Sequence, residues 1–327
     1  MSVITKAQLE ELLLQEDQQL LFESDEKVLK EINYSRQQLE LDLEQLKQWL
    51  KDQHHLPECR LTEKDNFLKT YLTGCKGSLE TVKRKLDAYY TLRGKIEVYS
   101  NRDPMDENYR KTSEICLINI LPKPTKQGSM VLSFRLAREE ISQNYFLNIM
   151  KRIINVIEIG MRLQSINKPS VVILDYERHS SGHASTFNPS IFKDTLHILQ
   201  NIFPIRVNKV FLINVPSFFE RIINTIVKPT LKKKIRDRLI VTKEGSETLH
   251  KYIDKEVLPK DWEGNFPLML KDINDAWNEY EIRHCNWFIN ELSEETNESK
   301  RVNTDVNNLG KDEYFGVQGS LKKLIID

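Results

Sequence analysis

The sequence lacks any run of about 18 consecutive apolar residues, the length a membrane-spanning helix needs, so membrane contact is expected to be peripheral and reversible. It also lacks net charge. Its 48 basic and 48 acidic residues leave no global field toward nucleic acid or a bilayer, and any such attraction must come from a local patch. Cysteine is sparse: Cys59, Cys75, Cys116 and Cys285 are scattered without a CxxC pair, which fits reduced thiols better than a disulfide frame or a zinc site. The opening "MSVITKAQLEELLLQEDQQLL" has no continuous apolar core of a signal peptide, so a cytoplasmic chain is expected. No GxSxG elbow, GxGxxG loop or GxxxxGK[ST] loop occurs, which removes the usual serine-hydrolase, dinucleotide and phosphate-loop readings. No cofactor, metal or nucleic-acid partner is expected.

What is present is a chain of 327 residues, 39% hydrophobic, long enough to bury a large core and to form about two domains. From about Ala7 to Arg93 apolar residues recur at helical spacing, as with Leu39, Leu43, Leu46 and Leu50, and nothing alternates like a strand. After Pro104 short β-branched runs, "EICLINIL", "MVLSFR", "SVVILDY", "NKVFLIN" and "DRLIV", alternate with long helical patterns. This is the rhythm of a mainly parallel sheet covered by helices, and "SVVIL" and "VFLIN", apolar throughout, predict strands buried on both faces. Beyond about Asn290 the chain turns polar and reads as a linker, before "YFGVQGSLKKLIID" regains enough pattern to dock on the body.

Two stretches invite a functional reading. In "DYERHSSGHAS", Asp175 ends a strand and His179 and His183 follow four apart, as two metal ligands on a helix would. The intervening "SSG" argues against a helix, so a loop lining a cleft stands beside a metal or serine-histidine site. In "PSFFERIINTIVKP", Phe218, Phe219, Ile222, Ile223, Ile226 and Val227 form a double apolar column between Pro216, placed like a first-turn proline, and Pro229, which stops the helix. Burying six such side chains is worth on the order of 10 kcal/mol, so this helix moves only onto another apolar phase. From Lys228 to Arg238 follow six basic residues and one acid, a local charge of +5 that suits an anionic leaflet. A core helix with a solvated basic end remains the alternative.

The chain resembles the CRAL-TRIO lipid-binding family, the cellular retinaldehyde-binding and α-tocopherol-transfer group, most of all its arthropod members. The resemblance is carried by "KDNFLKTYLTGCKGSLETVKRKLDAYYTLR", "NRDP", "VVILDYERHSSGHASTFNP", "LQNIFPIRVNKVFLINVPSFFERIINTIVKPTLKKKIRDRLIV", "LHKYIDKEVLPKDWEGN" and the terminal "YFGVQGSLKKLIID". It implies a helical N-terminal domain over 1–100, an α/β CRAL-TRIO domain with a mainly parallel sheet and a hydrophobic pocket over 101–270, and a C-terminal helix, linker and tail over 271–327. It also implies a mobile gate helix from about Val215 to Lys234. The expected activity is binding and membrane-to-membrane transfer of a small hydrophobic ligand such as a tocopherol, retinoid or carotenoid, without bond chemistry. A phosphoinositide-dependent membrane adaptor and a hydrolase on the His179–His183 loop are the alternatives. Ligand contacts are expected from Phe187, Ile191, Thr195, Ile198, Leu199, Phe203, Val210, Leu212, Phe219, Ile223, Ile226 and Val227, with Thr195 and Ser185 orienting a ligand hydroxyl. Arg206, Lys234 and Arg238 match the family's phosphoinositide cluster by motif position, and Lys209 and Lys76 stand in where Asn208 and Cys75 replace basic residues. The segment between Pro216 and Lys228 is one residue longer than in the tocopherol-transfer members, and Glu263 and Arg178 replace family glycines.

Overall fold

The computed structural model describes residues 18–57, 65–93, 95–164, 166–291, 294 and 296–301. The opening segment and the terminal "YFGVQGSLKKLIID" lie outside the described residues. Four helices come first: α1 (Gln18–Glu31), α2 (Arg36–Asp52), α3 (Asp65–Gly74) and α4 (Leu79–Thr91). The starts of α2 and α4 are set by Ser35 and Ser78, whose hydroxyls accept from the N–H groups of Gln38 and Thr81, satisfying donors a helix end otherwise leaves unpaired. The heptad-like leucines of α2 are buried, as their spacing requires.

After α5 (Glu107–Ile115), each predicted run forms a strand: β1 (Cys116–Ile120), β2 (Met130–Leu136), β3 (Ser170–Asp175), β4 (Val207–Ile213) and β5 (Leu239–Val241). They lie in the order β1-β2-β3-β4-β5, with β1 antiparallel to β2 and every later pair parallel. The parallel links are carried by α6 (Tyr145–Leu163), by α7 (Ser181–Ser185) with α8 (Pro189–His197), and by the segment from Ser217 to Arg236, which opens with α9 (Ser217–Ile222). Ser246–His250 (α12), Leu270–Arg283 (α13) and Cys285–Glu291 (α14) close the chain, and α13 packs on β1.

One apolar core runs from Val28 through the strands to Phe288, so the helical unit and the sheet share it. Within it Glu158 of α6, fully buried, accepts from the Tyr89 hydroxyl and the Arg102 guanidinium, each at 2.7 Å, which ties α6 to the helical unit. Within the polar segment read as a linker, Arg301 pairs with Asp87 at 2.7 Å and Asn297 donates to the His55 carbonyl at 2.8 Å. Glu263, one of the glycine replacements, holds a left-handed φ of 53°, the backbone a glycine would adopt without cost. Its neighbour stays glycine because a Cβ on Gly264 would fall 1.8 Å from the Leu258 carbonyl oxygen.

Candidate functional site

One face of the sheet is hollow. Met130, Leu132 and Phe134 of β2, Val172 and Leu174 of β3, and Val210 and Leu212 of β4 stand at alternate positions and line a cavity of about 330 Å³. Val131, Ile173 and Phe211, on the opposite face, are buried in the solid core. The expectation of two buried faces is therefore half right: the second face is apolar because it walls a void. Ile149, Ile153 and Ile157 of α6 form another wall. The lining follows β3 from Ser170 to Tyr176, six residue steps or about 20 Å, so the space is long as well as apolar. Its volume falls in the range of small-molecule sites. Polar groups gather near the ends, Gln164, Lys168 and Ser170 at one and Tyr176, His179 and His183 at the other.

The expected ligand contacts divide. Phe187, Thr195, Leu199, Val210, Leu212, Phe219, Ile223 and Val227 line the cavity. Ile191, Ile198, Phe203 and Ile226 do not. Ile198 and Phe203 are fully buried in the main core, Phe203 within 6.3 Å of the Tyr89 ring, because the helix before β4 also has to cover the helical unit. Ile191 packs against the same core. Thr195 is buried, but its hydroxyl already donates to the Ile191 carbonyl at 2.8 Å, and Ser185 is exposed and bonded to the Gly182 carbonyl.

Both helices next to the cavity widen where a proline follows. Phe203 N–H reaches back five residues to Ile198 before Pro204, and Lys228 N–H reaches Ile223 before Pro229, so residues 198–202 and 223–227 are π turns. Proline offers no N–H and crowds the carbonyl four residues back, a conflict that a wider turn relieves. Pro229 consequently does not stop the helix, which continues through α10 (Lys228–Thr230) before Leu231 turns extended. A π turn holds one more residue than an α turn. It also sorts the two apolar columns. Phe219, Ile223 and Val227 face the cavity with Ile222, Phe218 is 41% exposed, and Ile226 is half-buried outside the lining.

The histidine loop departs from expectation. Ser181–Ser185 does form a helical turn, closed by His183 Nδ1 bonding the Ser180 N–H at 3.1 Å and Oγ at 2.8 Å. Burial pushes the His179 imidazole down to about 3, the neighbouring His183 acting in the same sense, and burial lowers His183 as well. Both rings are therefore neutral near pH 7. Asp175, the acid that a catalytic reading would pair with them, is fully buried on the other side of β3. It accepts from Trp262 Nε1 at 2.7 Å and from the Asn214 amide at 2.8 Å. Among the described residues no group of three or more His, Cys, Asp or Glu side chains is placed to hold a metal.

Most of the expected basic residues are engaged within the protein. Arg206 pairs with Glu31 at 3.2 Å, and Arg238 donates to the Val207 carbonyl. Lys209 stands 3.9 Å over the Tyr252 ring, on the sheet face away from the cavity, where Phe211 also meets Tyr252. Lys234 is exposed on α11 (Lys233–Arg236), which packs on β4 beside the cavity wall. Lys76 lies at the turn between α3 and α4. No helix among the described residues is long and apolar enough to cross a membrane.

Sequence reasoning missed the α6 wall and the strand residues Met130, Leu132, Val172 and Leu174. α6 is apolar on opposite sides, with Ile154 and Ile159 in the core and Ile149, Ile153 and Ile157 on the void, a signal present in the sequence without a label for which side is which.

Residues 116–264 match the family described as CRAL/TRIO domain, and residues 35–109 match the Pinta-like, UBA domain. Among curated proteins the chain is 26% identical over 270 residues to Clavesin-1 of Xenopus laevis, covering 79% of this chain and 80% of that one. It is 30% identical over 202 residues to the alpha-tocopherol transfer protein-like protein of Mus musculus, covering 61% of this chain and 58% of that one. The crystal structure of Sfh5 aligns with 90% of this chain and 99% of its own at 14% identity and a TM-score of 0.47. Residues 116–264, which hold all five strands of the sheet and with them the strand walls of the cavity, are therefore a CRAL/TRIO domain within this chain.

Proposed function

We propose that this protein carries one elongated hydrophobic molecule in the sheet cavity and exchanges it with membranes, acting as a cytoplasmic carrier without bond chemistry. The cavity is the observation that supports the reading. At roughly 24 cal/mol per Å³, leaving about 330 Å³ of apolar space empty costs about 8 kcal/mol, as much as the whole stability of many domains. A fold that keeps such a void is stabilised by whatever fills it.

The route of exchange runs through the segment from Val215 to Lys234. Its buried side chains Val215, Phe219 and Ile223 form, with Leu212, a small cluster separate from the main core, so lifting the segment leaves that core intact. Phe218 already offers an aromatic ring to the outside, next in the chain to the wall it would open. The basic run from Lys228 to Arg238 supplies attraction to an anionic bilayer in general. A specific phosphoinositide pocket is less well supported, since Arg206, Lys209 and Arg238 already have partners within the protein. The name of the alpha-tocopherol transfer protein-like relative supports transfer as the class of activity. The test is extraction of the native protein and mass spectrometry of what comes off. A stoichiometric hydrophobic molecule is expected; protein that is empty and cannot be loaded from vesicles ends the proposal.

A further inference from the structure

The cavity is apolar along its length, yet one end is built from polar groups with nothing to bind. His179 and Tyr176 both line it, their rings 4.7 Å apart, beneath Phe219, whose ring meets them at 5.5 and 5.0 Å. His179 Nδ1 is buried without a hydrogen-bond partner. The Tyr176 carbonyl accepts the His179 backbone N–H at 2.9 Å and is the one backbone group that favours the charged imidazole, which burial outweighs. The Tyr176 hydroxyl makes no hydrogen bond with any described residue, and burial pushes it up to about 12. A folded chain rarely leaves such groups unpaired, because a buried donor or acceptor without a partner costs the free energy of the water it gave up.

Resting on the carrier reading, we infer that Tyr176 and His179 form the recognition end of the cavity and that the cargo is a lipid bearing one neutral hydroxyl or carbonyl group, with its hydrocarbon laid along β2, β3 and β4. The neutral imidazole presents one N–H and one bare nitrogen, and the phenol both donates and accepts, so the pair matches a group that does either or both. A carboxylate does not fit. It would be stripped of water among Phe134, Tyr176 and Phe219 with no cation beside it. Among the described residues of the lining the one lysine or arginine is Lys168, near the start of β3 and paired with Asp25 at 3.3 Å. Phe219 roofs the polar pair, so the head group would be the part of the cargo uncovered first when the segment lifts.

The experiment offers the protein phosphatidylcholine vesicles containing equal amounts of hexadecan-1-ol, hexadecane and hexadecanoic acid, then recovers the protein and quantifies its lipid. Wild type should hold the alcohol over the alkane by roughly five- to tenfold more than His179→Phe does from the same vesicles, the worth of one net hydrogen bond. His179→Gln, which keeps a donor and an acceptor, should retain most of the preference. Tyr176→Phe, which removes one oxygen, should lose part of it and serves as the reading should His179→Phe fail to fold. Equal ratios in wild type and the folded variants, or the acid as the most enriched lipid, overturn the inference while leaving a carrier. If none of the three loads into wild type, the carrier reading falls and this inference with it.

Discussion

Val172→Phe asks whether the sheet face is hollow in solution. Val172 sits mid-strand, in register with Leu132 of β2 and Val210 of β4, and all three line the cavity. Phenylalanine adds four carbons to valine. At roughly 0.8 kcal/mol per buried methylene-sized group these are worth about 3 kcal/mol if they enter empty apolar space, less about 1 kcal/mol of rotamer freedom. Lipid-free Val172→Phe should therefore be more stable than wild type by up to about 2 kcal/mol. Val171→Phe is the matched control: Val171, one step along the strand, is buried in the main core, where the same enlargement should cost about 1 to 3 kcal/mol. Urea unfolding of delipidated protein measures both, and opposite signs are expected. The variant should also load less lipid, because the ring takes space from the cargo. The reasoning is refuted if Val172→Phe destabilises as much as Val171→Phe, since that outcome means both faces are packed and no cavity exists to fill.

Phe219→Asp should leave far-UV circular dichroism and the main melting transition nearly unchanged, because its cluster is separate from the core. Lipid transfer between vesicles should fall by more than tenfold as a buried aromatic contact worth about 3 kcal/mol is lost; unimpaired transfer places the exchange route elsewhere. Lys234→Ala should weaken binding to anionic vesicles about fivefold at low salt, whereas Lys209→Ala, on the opposite sheet face, should have no effect. Vesicle co-sedimentation distinguishes the two, and equal losses would mean that the Lys234 side of the molecule is not the face that meets the bilayer.

Much of the fold was written in local pattern. Each β-branched run became a strand, and Leu39, Leu43, Leu46 and Leu50 marked the buried face of a helix, because residue periodicity maps directly onto sides of an element. The site was less legible. Phe219, Ile223 and Val227 were readable as one column, but Ile226 and Ile198 carry the same apolar signal and end elsewhere, since a π turn rotates one and the helical unit covers the other. Asp175 and the two histidines stand eight residues apart at most, yet opposite sides of one strand separate them.

The sequence by itself determined that the chain is an α/β protein with a helical unit in front, without a spanning helix, and with an apolar segment leading into a basic one. Composition and periodicity fix those properties residue by residue. Only the tertiary structure decided that one face of the sheet is a wall around empty space and that Tyr176 and His179 share its unpaired end. The transfer free energy of a side chain is the same whether it meets a neighbour or a void, so apolar pattern marks burial. Where the elements fail to touch depends on how helices, turns and strands are spaced in three dimensions.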